Sequence, residues 1–211
     1  MNRILLTLSI IFISVFANAQ FKKGDILLGG SLSYGTGTSS DTIKGNSGNF
    51  SISIGKAINE SSVIGVNLGF QATSQNNYYY WNSPLDYHSN FYSAGIFYRK
   101  YKSLGKDFFL FGQGTAFFAW STQTGKNANG IKELDGTQTG GGINVFPGFA
   151  YRVSKKFFLE VTIPNVFYAQ YSSNKTVFQS IIQNVNKNFS MGTSLTSNPL
   201  SNIGVGFRLV L

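Results

Sequence analysis

Apolar and polar residues alternate with a period of two through most of this chain, and polar, glycine-rich gaps cut the alternation into segments. The organising stretch is Phe91–Ser121, two aromatic-rich runs around a polar turn at Ser103–Asp107. In the first run Tyr92, Ala94, Ile96 and Tyr98 share one face, and Ser93, Gly95, Arg99 and Tyr101 share the other. An apolar face backed by a mixed polar face is the mark of a half-buried strand, because successive strand side chains point to opposite sides. Each run is roughly 10–14 residues, against about 5–6 for an ordinary soluble strand. A tilted strand needs about 9–11 residues to cross a bilayer.

The same pattern predicts six further strands. They are Asp25–Gly35, Asn46–Lys56, Ser62–Ser74, Thr139–Val153, Phe157–Tyr171 and Leu200–Leu211. Phe50, Ile52 and Ile54 oppose Asn49, Ser51, Ser53 and Gly55, and Ile64, Val66, Leu68 and Phe70 oppose Gly65, Asn67, Gly69 and Gln71. Pro147 lacks a ladder donor, so a bulge or local break is expected there, and Pro164 marks a second irregularity. The connections alternate between long (Thr36–Gly45, Gln75–Ser89, Thr122–Gln138, Ser172–Pro199) and tight (Ala57–Ser61, Ser103–Asp107, Ser154–Lys156). Within the longest, Val177–Val185 is weakly amphipathic and reads as a short helix. Eight strands whose long loops all fall at one end point to an all-β fold, a single antiparallel up-and-down transmembrane β-barrel.

Composition sharpens this. Met1–Ala19 carries a positive residue at Arg3, an apolar core and a small-residue site at Ala17-Asn18-Ala19, the layout of an export signal cleaved after Ala19. The barrel domain is then 20–211. The apolar run is too short for the ~20 residues of a spanning helix. A chain without further apolar helices can live in a membrane only as a closed barrel, since hydrocarbon solvates no unpaired backbone group. Cysteine is absent, which excludes disulfides, thiolate metal sites and a cysteine nucleophile. Aromatics make up 16% of the chain and charged residues only 12%, against about a quarter or more on a soluble surface. That balance suits a lipid-facing wall with aromatic girdles. The net charge of +9 is scattered, and together with the export signal it fits a rim over anionic headgroups rather than a nucleic-acid surface.

The strand repeats, the segment GFAYRVSKKFFLEVTI at Gly148–Ile163 and the closing IGVGFRLVL at Ile203–Leu211 resemble the small outer-membrane β-barrel family of Gram-negative bacteria, the porin-like barrel domains of OmpX and OmpA-barrel type. Members end on an alternating apolar strand, usually closing on Phe, that the barrel-assembly machinery reads; here the last residue is Leu211. The resemblance implies an outer-membrane location in the cell envelope, with outer-membrane lipid and the assembly machinery as partners. It implies little about activity, since fold does not fix function.

Candidate chemistry is sparse. Eight strands enclose a bore that side chains roughly fill. Arg99, Arg152, Glu160 and Arg208 fall on inward faces, and Glu160 is the one acid in mid-strand. An unpaired buried charge is expensive, so these four are expected to form a lumen ion-pair cluster rather than a proton path. Tyr78, Tyr79, Tyr80 and Trp81 sit in a long loop and read as an interfacial girdle or as a contact surface for an extracellular glycan or protein. His88, the one histidine, lies near Asp86 and Ser89 but in a loop; catalysis is not expected, nor is a metal or cofactor. Gly140-Gly141-Gly142 lacks the Lys-Ser/Thr and the helix of a phosphate loop. The expected role is structural or surface-interacting, through the long extracellular loops. A narrow porin-like channel and an accessory subunit of a secretion or uptake complex are the alternatives, with a lipid- or peptide-modifying barrel enzyme behind them.

Overall fold

The computed structural model describes residues 21–39, 43–80, 83–163, 166–193 and 204–211. The export segment, Trp81 and Pro164 lie outside them. The described strands are β1 (Ile26–Ser39), β2 (Ile43–Asn59), β3 (Ser62–Tyr80), β4 (Ser83–Gly105), β5 (Phe108–Lys126), β6 (Lys132–Ser154), β7 (Phe157–Thr162), β8 (Phe167–Phe178), β9 (Ile181–Gly192) and β10 (Gly204–Val210). All pairings are antiparallel. β1 to β6 pair in sequence, β6 pairs with β7 at its tight-turn end, β7 with β10, and β10 with β1. That closes an up-and-down ring of eight strands.

β8 continues the line of β7 and pairs with the far half of β6, and β9 pairs with β8 in turn. β6 runs unbroken through Pro147, contrary to the break expected there. In a strand, a residue's own N–H and C=O point to the same edge. The carbonyl of Pro147 accepts from Ile163 N at 3.0 Å, so its missing donor faces the interruption between β7 and β8. The missing donor therefore leaves the pairing of β6 with β5 intact, with Pro147 opposite Gly112.

Tracing cross-strand partners from Gly30 one way round the ring reaches Gly141 of β6; the other way reaches Tyr151. The ring thus closes with a stagger of ten residues. With a rise of about 3.4 Å per residue and a strand spacing of about 4.8 Å, this stagger tilts the strands by about 40° and sets a backbone radius of about 8 Å.

The pleat sorts the two faces as the alternation predicts. Leu32, Ile52, Val66, Leu68, Ile96, Phe118, Val205 and Phe207 point outward and are 40–75% exposed. The outer face also carries a contiguous aromatic row, Phe50–Phe70–Tyr92–Trp120, with Phe70–Tyr92 rings at 5.1 Å and Tyr92–Trp120 rings stacked at 5.0 Å. Inward, the core lies at the tight-turn end: Leu27, Val63, Phe97, Tyr101, Phe109, Phe111 and Phe158, closed from below by Phe21. Phe97 lies over Gly55 and Gly65, where a Cβ would stand 3.0 Å and 2.8 Å from its ring. The two glycines make the room that lets an aromatic cross so narrow a bore.

At the other end the strands outrun the sequence reading. Gln75–Ser89 and Thr122–Gln138 are largely strand, forming the ends of β3 to β6. Leu85, Leu134 and Phe178, with Tyr87 against them, make a second small core on the inner side of this extension. Val177–Val185 is not a helix. It is the tip of the β8–β9 hairpin, with Gln179 and Ser180 at φ of 47° and 66°. Two consecutive left-handed residues between paired Phe178 and Ile181 make the type I′ turn that matches strand twist.

Candidate functional site in the barrel lumen

The polar site sits on top of the aromatic core. Glu160 is placed on β7 between Ala150 of β6 and Gly206 of β10, small neighbours that leave its carboxylate free to reach across the bore. Its Oε1 accepts from Arg99 Nη1 at 2.6 Å, Arg208 Nε at 2.8 Å and the Tyr101 hydroxyl at 3.0 Å. Its Oε2 accepts from Arg208 Nη2 at 3.2 Å. Arg208 comes from the adjacent β10, whereas Arg99 comes from β4 on the opposite wall. All three charged residues are at least 95% buried.

A second tier orients the first. Arg99 Nε donates to Gln113 Oε1 at 2.7 Å, and Gln113 Nε2 donates to Thr115 Oγ1 at 3.0 Å. The Arg99 guanidinium lies 4.1 Å over the Phe111 ring, so the apolar core stacks against the cation it underlies. Gly29 of β1 pairs with Arg208, and a Cβ there would stand 2.9 Å from the guanidinium carbon. The glycine clears the bed in which Arg208 lies.

The structure therefore brings together Arg99, Glu160 and Arg208 of the four expected charges. It does not bring Arg152 into the cluster. Arg152 sits at the tight-turn rim, half-exposed, and its Nε donates to Asp107 Oδ1 at 2.9 Å in the β4–β5 turn. Tyr101, Gln113 and Thr115 join the cluster instead. The signal for them was positional: Tyr101 follows Arg99 by two residues on the same face, Gln113 pairs with Arg99 across β4 and β5, and Thr115 is two residues beyond Gln113.

Above the floor lies a cavity of about 590 Å³. Ser31, Ser51, Ser53, Asn67, Ser93 and Asn144 contribute to its walls, and Arg99, Glu160 and Arg208 form its base. Among the described residues, these three are the charged groups that line it. Phe91 and Phe117 wall both this cavity and a smaller one of about 60 Å³ beyond it toward the hairpin end.

The other candidates lie apart. Tyr78 closes on Tyr87, with ring centroids 4.8 Å apart, in the extension beyond the bore. Tyr79 and Tyr80 belong to the end of β3, paired with Pro84 and Ser83, and are not in a loop. His88 is exposed on the outer face of β4 opposite Ser74 and Thr124. No group of three His, Cys, Asp or Glu residues suited to a metal ion occurs among the described residues.

No family model matches the chain, and no curated protein matches it. Solved structures do. Neisserial surface protein A (NspA) aligns at 19% identity over 89% of this chain and 97% of its own, with a TM-score of 0.39. A major outer membrane protein from Thermus thermophilus aligns at 10% identity over 88% and 99%, with a TM-score of 0.46. Ail, the attachment invasion locus protein of Yersinia pestis, aligns at 13% identity over 90% and 100%, with a TM-score of 0.38. The eight-strand assignment itself rests on the strand pairing given above.

Proposed function

We propose that this protein is an outer-membrane barrel whose bore is closed by its own side chains and whose extended hairpins form a surface-interaction platform. The observation that carries the reading is the inverted distribution of polarity. Ile52, Val66, Val205 and Phe207 are 40–60% exposed on the wall, while Arg99, Glu160 and Arg208 are buried inside. In water such a wall would be a contiguous apolar patch far beyond what a soluble surface carries; against lipid it is the required exterior. The export signal at Met1–Ala19 supplies the route, outer-membrane lipid the solvent, and the assembly machinery the insertion step.

The stack of Phe21, Phe97, Phe111 and Phe158 below the ion-pair floor supports closure of the bore. This disfavours the narrow-channel alternative. The working surface is the paired extension of β3 to β6 with the β8–β9 hairpin, where Tyr78, packed ring to ring on Tyr87, offers aromatic contact to a glycan or protein. Fractionation and planar-bilayer recording test the reading together. Mature protein starting at Gln20 is expected in the outer membrane, with no resolved current steps after reconstitution. Free protein in the periplasm, or stable single-channel steps, would overturn it.

A further inference from the structure

We infer that the tight-turn rim of the barrel is a docking surface for net-anionic phospholipid headgroups, so that the barrel selects the lipids of one leaflet by charge. The inference rests on the membrane reading proposed above and adds to it the leaflet and the residues. Lys56 on β2 and Lys100 and Lys102 on β4 are exposed on the outward face, in step with Ile54 and Tyr98. Lys22, Lys23, Lys106, Lys155 and Lys156 surround the same end on the lead-in and the turns, and all are exposed. The side-chain acids there are Asp25, Glu60 and Asp107, and Asp107 is held by Arg152. Among the described residues, none of these lysines is in an ion pair. At the opposite end the described lysines stand with Asp86, Glu133 and Asp135, and Lys132 Nζ lies 2.8 Å from Asp135 Oδ2. The unbalanced positive charge therefore collects at the tight turns.

Height along the wall decides what the three outward lysines meet. Apolar side chains lie on both sides of them. Ile54, Ile64 and Tyr98 are above, while Ile58, Leu104 and Val153, at the turns themselves, are 42–54% exposed. A wall that stays apolar down to its turns fits the membrane interface better than bulk water. A lysine inside such a band lays its stem on apolar surface and carries its ammonium to the headgroup plane. Lys has three donors and no acceptor, so a phosphate oxygen is the complementary group. Lys56 pairs with Ile64 of β3, and Ile64 with Tyr98 of β4, two residues from Lys100. Two strand spacings and two residues of rise put Lys56 and Lys100 about 12 Å apart, within reach of one phosphate or of two neighbouring ones. A zwitterionic headgroup brings its own ammonium to that phosphate, whereas a net-anionic one leaves it to the lysines. Because Lys56, Lys100 and Lys102 face sideways from the wall, they meet lipid rather than a polymer lying beneath the rim.

Spin-labelled phosphatidylglycerol and phosphatidylcholine, compared in phosphatidylcholine vesicles holding the full barrel, test this through the motionally restricted lipid at the protein surface. Each lysine near an anionic surface contributes about a fivefold preference. Averaged over the whole perimeter, phosphatidylglycerol is expected to associate about threefold more strongly than phosphatidylcholine, and the preference should vanish in 1 M NaCl, where the Debye length is about 3 Å. Lys56→Gln, Lys100→Gln and Lys102→Gln together should remove most of it. Lys44→Gln, Lys126→Gln and Lys175→Gln together, at the opposite end, should leave it unchanged. Restricted lipid of both kinds without a preference, a preference insensitive to salt, or one lost with the second triple and kept with the first would overturn the inference and leave the membrane reading standing. Absence of any restricted lipid would overturn both. Binding to purified peptidoglycan that the first triple abolishes, with no lipid preference, would assign the rim to polymer carboxylates instead.

Discussion

At the scale of single residues, the same ion-pair chemistry carries very different weight at two heights in one bore. Glu160 is fully enclosed and holds two arginines and a tyrosine hydroxyl. Replacing it with Gln leaves buried guanidinium charge uncompensated, so Glu160→Gln should destabilise the barrel by about 3–5 kcal/mol in urea unfolding from lipid vesicles. Arg152 meets Asp107 where both side chains are a third to a half exposed, so solvent screens the pair. Arg152→Ala should cost no more than about 1 kcal/mol in the same assay. A cost for Arg152 matching that of Glu160 would mean the rim pair is not screened as its exposure implies. The contrast also marks what the sequence could show. Period-two parity places all four charges on the inward face. It does not give their height, which depends on the ten-residue stagger and hence on pairings between distant strands. Arg152 lies two positions nearer the turn than Ala150, the residue that pairs with Glu160. That offset is enough to hand it to Asp107.

Strands and hairpins show where alternation stops being readable. In the membrane-height segments one face is apolar and the other small or polar, so their strands are evident from contrast alone. Beyond them β2 reaches back through Gly45 and Lys44, ahead of the Asn46 start read from the pattern, and β3 runs on through Gln75-Asn76-Asn77, past the Ser74 end. Both faces there are polar, and nothing in the pattern distinguishes a paired strand from a loop. The β8–β9 hairpin adds a second difficulty: its tip, Phe178-Gln179-Ser180-Ile181, lacks the Asn-Gly or Gly signal that usually announces a type I′ turn. Its apolar flanks then mimic a short amphipathic helix. The strain at Ser180, φ 66°, is open to test. Ser180→Gly removes the Cβ penalty of a left-handed residue and should stabilise the hairpin by roughly 1 kcal/mol. Slower amide exchange across 176–183 would report it; faster exchange would mean the turn is not of this type.

On the scale of the whole molecule, the account is of a barrel turned inside out relative to a soluble protein. Charge is collected in the bore and apolar surface is left on the wall. An Arg introduced at Val66, on the outward face of β3, should cost about 2–4 kcal/mol near the membrane midplane. The same change at Asn67, one residue along and facing the cavity, meets polar walls and should cost less. Equal costs would mean the faces are exchanged by a one-residue slip. The chain contains no cysteine, so single cysteines can be placed and spin-labelled without background. The most direct test of the account is the oxygen and water-soluble-relaxant accessibility of nitroxides at Ile64, Val66, Asn67, Leu68, Phe70 and Gln71 in β3, with the protein in lipid vesicles. The prediction is high oxygen collision and low aqueous collision at Ile64, Val66, Leu68 and Phe70, reversing at Asn67 and Gln71. High aqueous collision at Val66 and Leu68 would contradict it, because the wall would then face water and the barrel would not be spanning a membrane.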